Sequence, residues 1–206
     1  TAGAQRRASA VKEKEDSTAF FRGIAVGVDA IGPAMRSLAS YGQYEALLRL
    51  NIKDRYYPVV EAGVGTADKS DETTGTEFKT SAPFARVGCD FNTLKNKHDD
   101  YRFLVGGRLG YTSFKYDVHS PGIADPIWRT QAAYGAVGNK GSQFWAEVVG
   151  GVDARIWGMI RMGWTVRYKL RLAHKADGIG EPWYVPGYGR GGSSRLGATF
   201  NILLEL

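Results

Sequence analysis

Ile160-Arg-Met-Gly-Trp-Thr-Val-Arg-Tyr-Lys-Leu-Arg-Leu172 is the stretch that decides the fold. Its even positions are Ile160, Met162, Trp164, Val166, Tyr168, Leu170 and Leu172. Its odd positions are Arg161, Gly163, Thr165, Arg167, Lys169 and Arg171. Side chains alternate between faces along a strand and recur every 3.6 residues along a helix, so this order builds one apolar and one cationic face only when extended. Thirteen residues of it are long enough to cross a bilayer when tilted.

The same period of two recurs along the chain. At 20–31, Ile24, Val26 and Val28 alternate with Gly23, Ala25, Gly27 and Asp29. At 41–53, Tyr44, Ala46, Leu48, Leu50 and Ile52 alternate with Gln43, Glu45, Arg49 and Asn51. Further segments of this kind lie at 57–66, 83–92, 101–116, 144–156 and 195–206. Together these predict eight strands. Connections alternate between short (53–56, 93–100, 156–159) and long (32–40, 67–82, 117–142, 173–194), the rhythm of an outer-membrane barrel with both termini on the short-turn, periplasmic rim. The expected organisation is a flexible periplasmic tail over residues 1–18, polar and charged, followed by an all-β, eight-stranded antiparallel up-and-down transmembrane barrel over 19–206. The opening Thr1-Ala2-Gly3-Ala4-Gln5 reads as the remnant of a small-residue cleavage site.

Composition agrees with this architecture. The 206 residues include 27 Gly, five Trp, eleven Tyr and nine Phe, a mixture that favours β structure. No run of 18 apolar residues exists, so a spanning helix is excluded while a spanning barrel is not. A single cysteine, Cys89, rules out an intramolecular disulfide and reads as a small wall residue.

Alternation alone leaves open which face turns outward, because a soluble lipocalin-like barrel would put the apolar face inside. Three features favour lipid outside. The other face is Gly with Arg, Asp and Glu and little Lys. Aromatics gather near strand ends (Tyr41, Tyr44, Tyr56, Tyr57, Tyr101, Tyr111, Phe144, Trp157, Tyr168) as interfacial girdles do. The last segment keeps apolar residues at alternate positions out to Leu206, like the C-terminal signal read by the barrel-insertion machinery.

On that assignment the lumen holds Arg49, Arg86, Arg102, Arg108, Arg155, Arg161, Arg167, Lys169, Arg171 and Arg195 together with Asp29, Glu45, Glu61, Asp90, Glu147, Asp153 and Glu205. Buried charges must pair, so much of the +6 net charge is internal and a nucleic-acid partner is not expected. Within it, Glu147, Asp153, Arg161 and Arg167 are the candidate charge network. A hairpin joining two such strands needs an odd loop to keep the faces matched. A five-residue loop at 155–159 sets Asp153 opposite Arg161 and Glu147 opposite Arg167. A three-residue loop sets Arg155 against Arg161, and charge favours the first.

No catalytic, metal or cofactor site is expected. His98, His119 and His174 are scattered, and the His119-Ser120 pair supplies no triad. Asp68, Asp71, Glu72 and Glu77 fit no standard Ca²⁺ loop. The run Gly187-Tyr-Gly-Arg-Gly-Gly192 lacks the Lys-Ser/Thr of a phosphate cradle. The long loops are rich in Pro and aromatics: Trp128 and Tyr134 in the third, Trp183, Tyr184 and Tyr188 in the fourth. Such residues suit contact with a protein partner, and equally suit packing on one another to lid the barrel.

The stretches Gly27-Val-Asp-Ala-Ile-Gly-Pro33, Tyr41-Gly-Gln-Tyr-Glu-Ala46, Phe78-Lys-Thr-Ser-Ala-Pro83, Thr112-Ser-Phe-Lys-Tyr-Asp-Val118, Asp125-Pro-Ile-Trp128 and Glu181-Pro-Trp-Tyr-Val-Pro186 resemble an uncharacterised family of Bacteroidota outer-membrane β-barrel proteins. The resemblance spans roughly 20–206. It implies a small outer-membrane barrel in contact with membrane lipid and lipopolysaccharide, and supplies no activity. Such barrels can be accessory subunits of larger outer-membrane assemblies, including the barrel-assembly machinery, so other outer-membrane proteins are the expected partners. A small ligand-binding or transport barrel and a lipid A-modifying enzyme are the alternatives.

Overall fold

The structure is a computed structural model that describes residues 19–96, 98–122, 134–177 and 181–206. The anticipated tail at 1–18 lies outside them. Eight strands form the ring: β1 (Phe21–Asp29), β2 (Tyr41–Ile52), β3 (Tyr56–Asp71), β4 (Thr76–Asn92), β5 (Tyr101–Ser120), β6 (Tyr134–Trp157), β7 (Ile160–Ala176) and β10 (Ser194–Glu205). All neighbours pair antiparallel, and β1 closes the barrel on β10 through Ala25↔Glu205 to Asp29↔Asn201. Two dipeptide strands, β8 (Tyr184–Val185) and β9 (Gly189–Arg190), form a separate hairpin in the last long connection. No described helix is long and apolar enough to cross a membrane.

Apolar side chains cover the outside of the ring, among them Val60, Val87, Val105, Leu109, Val148, Trp164 and Val166. Tyr56, Phe91, Tyr101 and Trp157 edge this band on the short-turn side, and Tyr44, Tyr111 and Phe144 on the other. From Tyr101 to Tyr111 is ten residue steps, about 33 Å of strand, or about 25 Å of height at barrel tilt, the height of an outer-membrane barrel's apolar band.

Above the band the alternation continues with its phase reversed. On β4 the inward residues change from Asp90 and Arg86 to Phe84, Ala82 and Phe78, while the outward ones change from Val87 and Ala85 to Ser81 and Lys79. On β5, Phe114 and Tyr116 point in and Lys115 and Asp117 point out. The barrel therefore has two storeys: a lower one, apolar outside and charged inside, and an upper one, polar outside and aromatic inside. This reversal is why the sequence expectation closes these strands early at 66, 83, 116 and 144. A segment whose apolar face has changed sides no longer continues the pattern below it. The described residues of the anticipated loops at 67–82 and 117–142 are largely strand.

The first long connection, expected as a loop, holds the helix α1 (Ile31–Leu38). Pro33 fits its first turn, where its missing N–H is not needed. The Asp29 carboxylate takes the amides of Ile31 (3.0 Å) and Gly32 (2.8 Å), satisfying donors that a helix start leaves open.

The β6–β7 hairpin departs from the preferred register. Its turn is Gly158-Met159, with Trp157 opposite Ile160, and Arg155 opposite Arg161. Ile156 is an extra residue between those two pairs, so a bulge restores the parity that a two-residue turn would break. Asp153 thus faces Gly163, and Glu147 faces Lys169. Arg155 tolerates its like-charged neighbour because it swings out at the rim, where it meets Glu205 at 3.5 Å. Arg171 and Arg195, also assigned to the lumen, sit half-buried at the opposite mouth, bound to Glu181 and to the Arg190 and Gly191 carbonyls respectively.

At the short-turn rim, Lys53 and Asp54 take φ of 54° and 53°, the positive values a primed hairpin turn requires. Asp54 secures this turn by accepting from Asn51 (2.6 Å) and Arg22 (3.0 Å) and contacting His98 (2.8 Å). Burial raises its pKa, but the bonds to Asn51 and His98 and the Arg22 charge outweigh burial and hold it below the ordinary 3.8. A depressed carboxylate stabilises the fold above its unfolded pKa and loses that contribution as pH falls through the folded one. Asp54→Asn is therefore expected to be less stable than the parent at neutral pH, with the gap closing below about pH 4. Denaturation midpoints across pH 2.5–7 (an assay window of about this width) check this, and a pH-independent gap would contradict it.

Candidate functional site

A ladder of charge runs down the axis of the lower storey. Six arginines (49, 86, 102, 108, 161, 167) face six carboxylates (Glu45, Glu61, Asp90, Glu147, Asp153, Glu205). At its top, Arg86 and Arg167 share one set of carboxylates. Arg86 binds Glu45 and lies 3.1 Å from Glu61 and 3.3 Å from Glu147. Arg167 reaches Glu61 at 2.6 Å, Glu45 at 3.3 Å and Glu147 at 3.6 Å. Below them the chain of contacts runs from Glu61 to Arg108 (3.2 Å), on to Asp90 (2.9 Å), to Arg49 (3.8 Å), and to Asp153 (2.8 Å). It ends through Arg161 at Glu205 (3.4 Å), which also holds Arg102 (2.6 Å).

The four residues singled out from sequence all belong to this ladder. Glu147 and Arg167 meet, and Asp153 accepts two bonds from Arg161 at 2.9 and 2.8 Å, diagonally rather than straight across. Reach along the guanidinium makes up for the shifted register. The shared Arg86–Arg167 hub was hidden because it joins β2, β3, β4, β6 and β7 across the lumen, and local alternation carries no cross-barrel distance.

Above the ladder the last long connection folds inward as a lid. Tyr184 and Tyr188 are each 2% exposed, and Trp183 packs against them as a half-buried side chain. Trp183 packs edge-to-face with Tyr41 (5.7 Å between centroids) and Phe78 (6.0 Å), and Tyr188 does so with Trp145 (5.8 Å). The Tyr184 hydroxyl donates to the Gly42 carbonyl at 3.3 Å, and burial raises its pKa so that it stays neutral. Gly65 permits the approach, since a Cβ there would lie 2.8 Å from Pro186 Cα. Fully buried Trp145 ties lid to ladder, its indole N–H donating to Glu147 at 2.7 Å. The Lys169 ammonium donates to the carbonyls of Gly187 (2.7 Å) and Tyr188 (3.2 Å).

Of the two readings the sequence left open for Trp183, Tyr184 and Tyr188, their burial favours lid packing over partner contact. Their rings fill the aromatic upper lumen that the phase reversal creates. Tyr134 opens β6, its backbone paired with Ser120, and Trp128 lies outside the described residues. No cluster of three metal-ligating side chains occurs among the described residues. Between ladder and wall, beside Arg49 and Asp90, about 10 Å³ remains, room for roughly one water. A larger cavity of about 550 Å³ lies at the mouth, between α1, β10 and the lid.

Comparison of the sequence with curated proteins finds no match. Among solved structures, the chain is similar to Neisserial surface protein A (NspA), with 14% identity, a TM-score of 0.37, and coverage of 89% of this chain and 94% of that one. It is also similar to a major outer membrane protein from Thermus thermophilus, with 13% identity, a TM-score of 0.41, and coverage of 89% and 98%. The profile of the Domain of unknown function (DUF6048) matches residues 2–205, which takes in every strand of the ring, and the chain belongs to that family.

Proposed function

We propose that this protein is an integral outer-membrane β-barrel without enzymatic activity, serving as a structural or accessory subunit of a larger outer-membrane complex such as the barrel-assembly machinery of a Bacteroidota cell. The apolar band supports membrane residence, since ring closure pairs the backbone strand to strand over most of its height and turns apolar side chains outward. In this reading the short-turn rim and both termini face the periplasm. The observation that carries the role is the blocked lumen: ladder below, aromatic lid above, and space for about one water between ladder and wall. Such an interior supports neither a pore nor a catalytic cleft. The three histidines support the same view, since His98 binds Asp54 at one rim while His119 and His174 occupy strands at the other. Function then falls to the outer surfaces, and the tall polar wall of β3–β6, with Val137 exposed on β6, is suited to a protein partner.

Purification in mild detergent, followed by mass spectrometry of the co-eluting chains, tests this. Stoichiometric recovery with another outer-membrane protein is expected. Recovery of the chain alone, at full yield, would overturn the subunit role.

A further inference from the structure

The barrel wall is incomplete on one side. β1 ends at Asp29, so residues 41–45 of β2 and 194–199 of β10 each have a ring partner on one edge only. On β10 the direction of the open edge follows from Phe200. Its N–H goes to Asp29 Oδ1 (3.1 Å) and its carbonyl receives Ala30 N–H (2.8 Å), both on the β1 side. Residues two apart present their backbone groups to the same edge. Ala198 and Leu196 therefore point N–H and C=O into the gap, where no partner meets them among the described residues. The gap is level with the upper apolar band, because Leu196 and Ala198 pair on their other edge with the residues Tyr168 and Val166 of that band. Unpaired backbone groups are poorly tolerated in hydrocarbon, so a polar occupant suits this gap.

The mouth cavity of about 550 Å³ opens onto this gap. Its outer lining is apolar, with Ile31 and Met35 of α1 and Leu196 and Ala198 of β10. Its inner lining is cationic. Lys169 is buried behind it, Arg195 is braced on the Arg190 carbonyl at 2.9 Å, and the Arg190 guanidinium stacks over Tyr41 and Trp183. The one carboxylate of the lining, Asp29, is already committed to the amides of Ile31, Gly32 and Phe200. We infer that this is a lateral lipid site: a phosphorylated lipid of the surrounding leaflet enters sideways, its phosphate on Arg190 and Arg195 and its headgroup oxygens on the open edge of β10. The apolar outer lining and the position within the band favour a lipid over a free anion. This rests on the membrane reading above and is independent of the subunit role.

Native mass spectrometry of the full chain released from detergent micelles reads the bound lipid directly. With bisphosphorylated lipid A as probe, one molecule per chain is expected. The double variant Arg190→Gln/Arg195→Gln is expected to bind about tenfold more weakly, the loss of charge-assisted bonds worth about 1.4 kcal/mol. Ala198→Trp keeps both arginines but fills the gap, and should also exclude the lipid. Heat-dependent gel mobility confirms that each variant is folded. Equal binding of dephosphorylated lipid A, equal affinity for inorganic phosphate, or parental binding by both folded variants would each overturn the site. A chain that stays monodisperse without detergent defeats the membrane reading itself, whereas a detergent-dependent chain that takes up no lipid A defeats the site alone.

Discussion

Arg86→Met is expected to destabilise the barrel by about 3–5 kcal/mol, the usual result of removing one partner from a buried ionic cluster. Arg86 is fully enclosed and touches Glu45, Glu61 and Glu147. Methionine fills a similar volume, so the loss measured is electrostatic rather than a cavity. Arg167 remains to serve the same three carboxylates and Arg108 to serve Glu61, leaving the three with two guanidiniums where there were three. Urea unfolding of the chain refolded in micelles gives the number. Adding Glu45→Gln should recover much of the loss, because it deletes one of the stranded charges. A loss below about 1 kcal/mol would mean that the cluster is hydrated and behaves as surface pairs do.

Val148→Arg tests the outer face. Val148 is 59% exposed at mid-height of the apolar band, opposite Gly107 and Tyr168 on its two neighbours. Arginine near the middle of a bilayer costs a β-barrel about 2–4 kcal/mol. The matched control is Ser113→Arg on the outer face of β5 above the band, where a surface substitution changes stability by about 0.5 kcal/mol or less. Unfolding from phospholipid vesicles should separate the two variants by roughly the cited cost. Two equal and small effects would mean that water, not hydrocarbon, bathes Val148.

The ring was legible in the sequence wherever the two faces differ in kind. Ile160 to Leu172 names its own strand, outer face and lumen face, because each Arg or Lys is flanked by apolar neighbours. Strand ends were not legible, and the reason is the change of phase at Arg86–Phe84 and at Tyr111–Phe114. A reader tracking one apolar face loses it when the outer face turns from apolar to polar. Bulges were hidden too. Ile156 has no chemical mark that sets it apart as the extra residue, yet without it the two-residue turn would put Asp153 opposite Trp164 instead of Gly163. Of the candidate site, membership of the lumen set was readable from alternation for Glu147, Asp153, Arg161 and Arg167. The lid was one of two readings that Trp183, Tyr184 and Tyr188 allowed, and the gap was not legible, since it depends on how far β1 falls short of its neighbours.

The twelve ladder residues come from seven of the eight ring strands, and several of their bonds link positions more than 100 residues apart, as in Arg49–Asp153 and Arg167–Glu61. An open sheet on its way to closure would carry guanidiniums and carboxylates with no counterpart, turned toward acyl chains. Such a half-made wall has nowhere comfortable to rest in hydrocarbon. On the membrane reading proposed above, insertion and circularisation become a single event, and a kinetic trace of refolding into vesicles should show strand content and protease resistance arriving together, with no lipid-embedded arc in between.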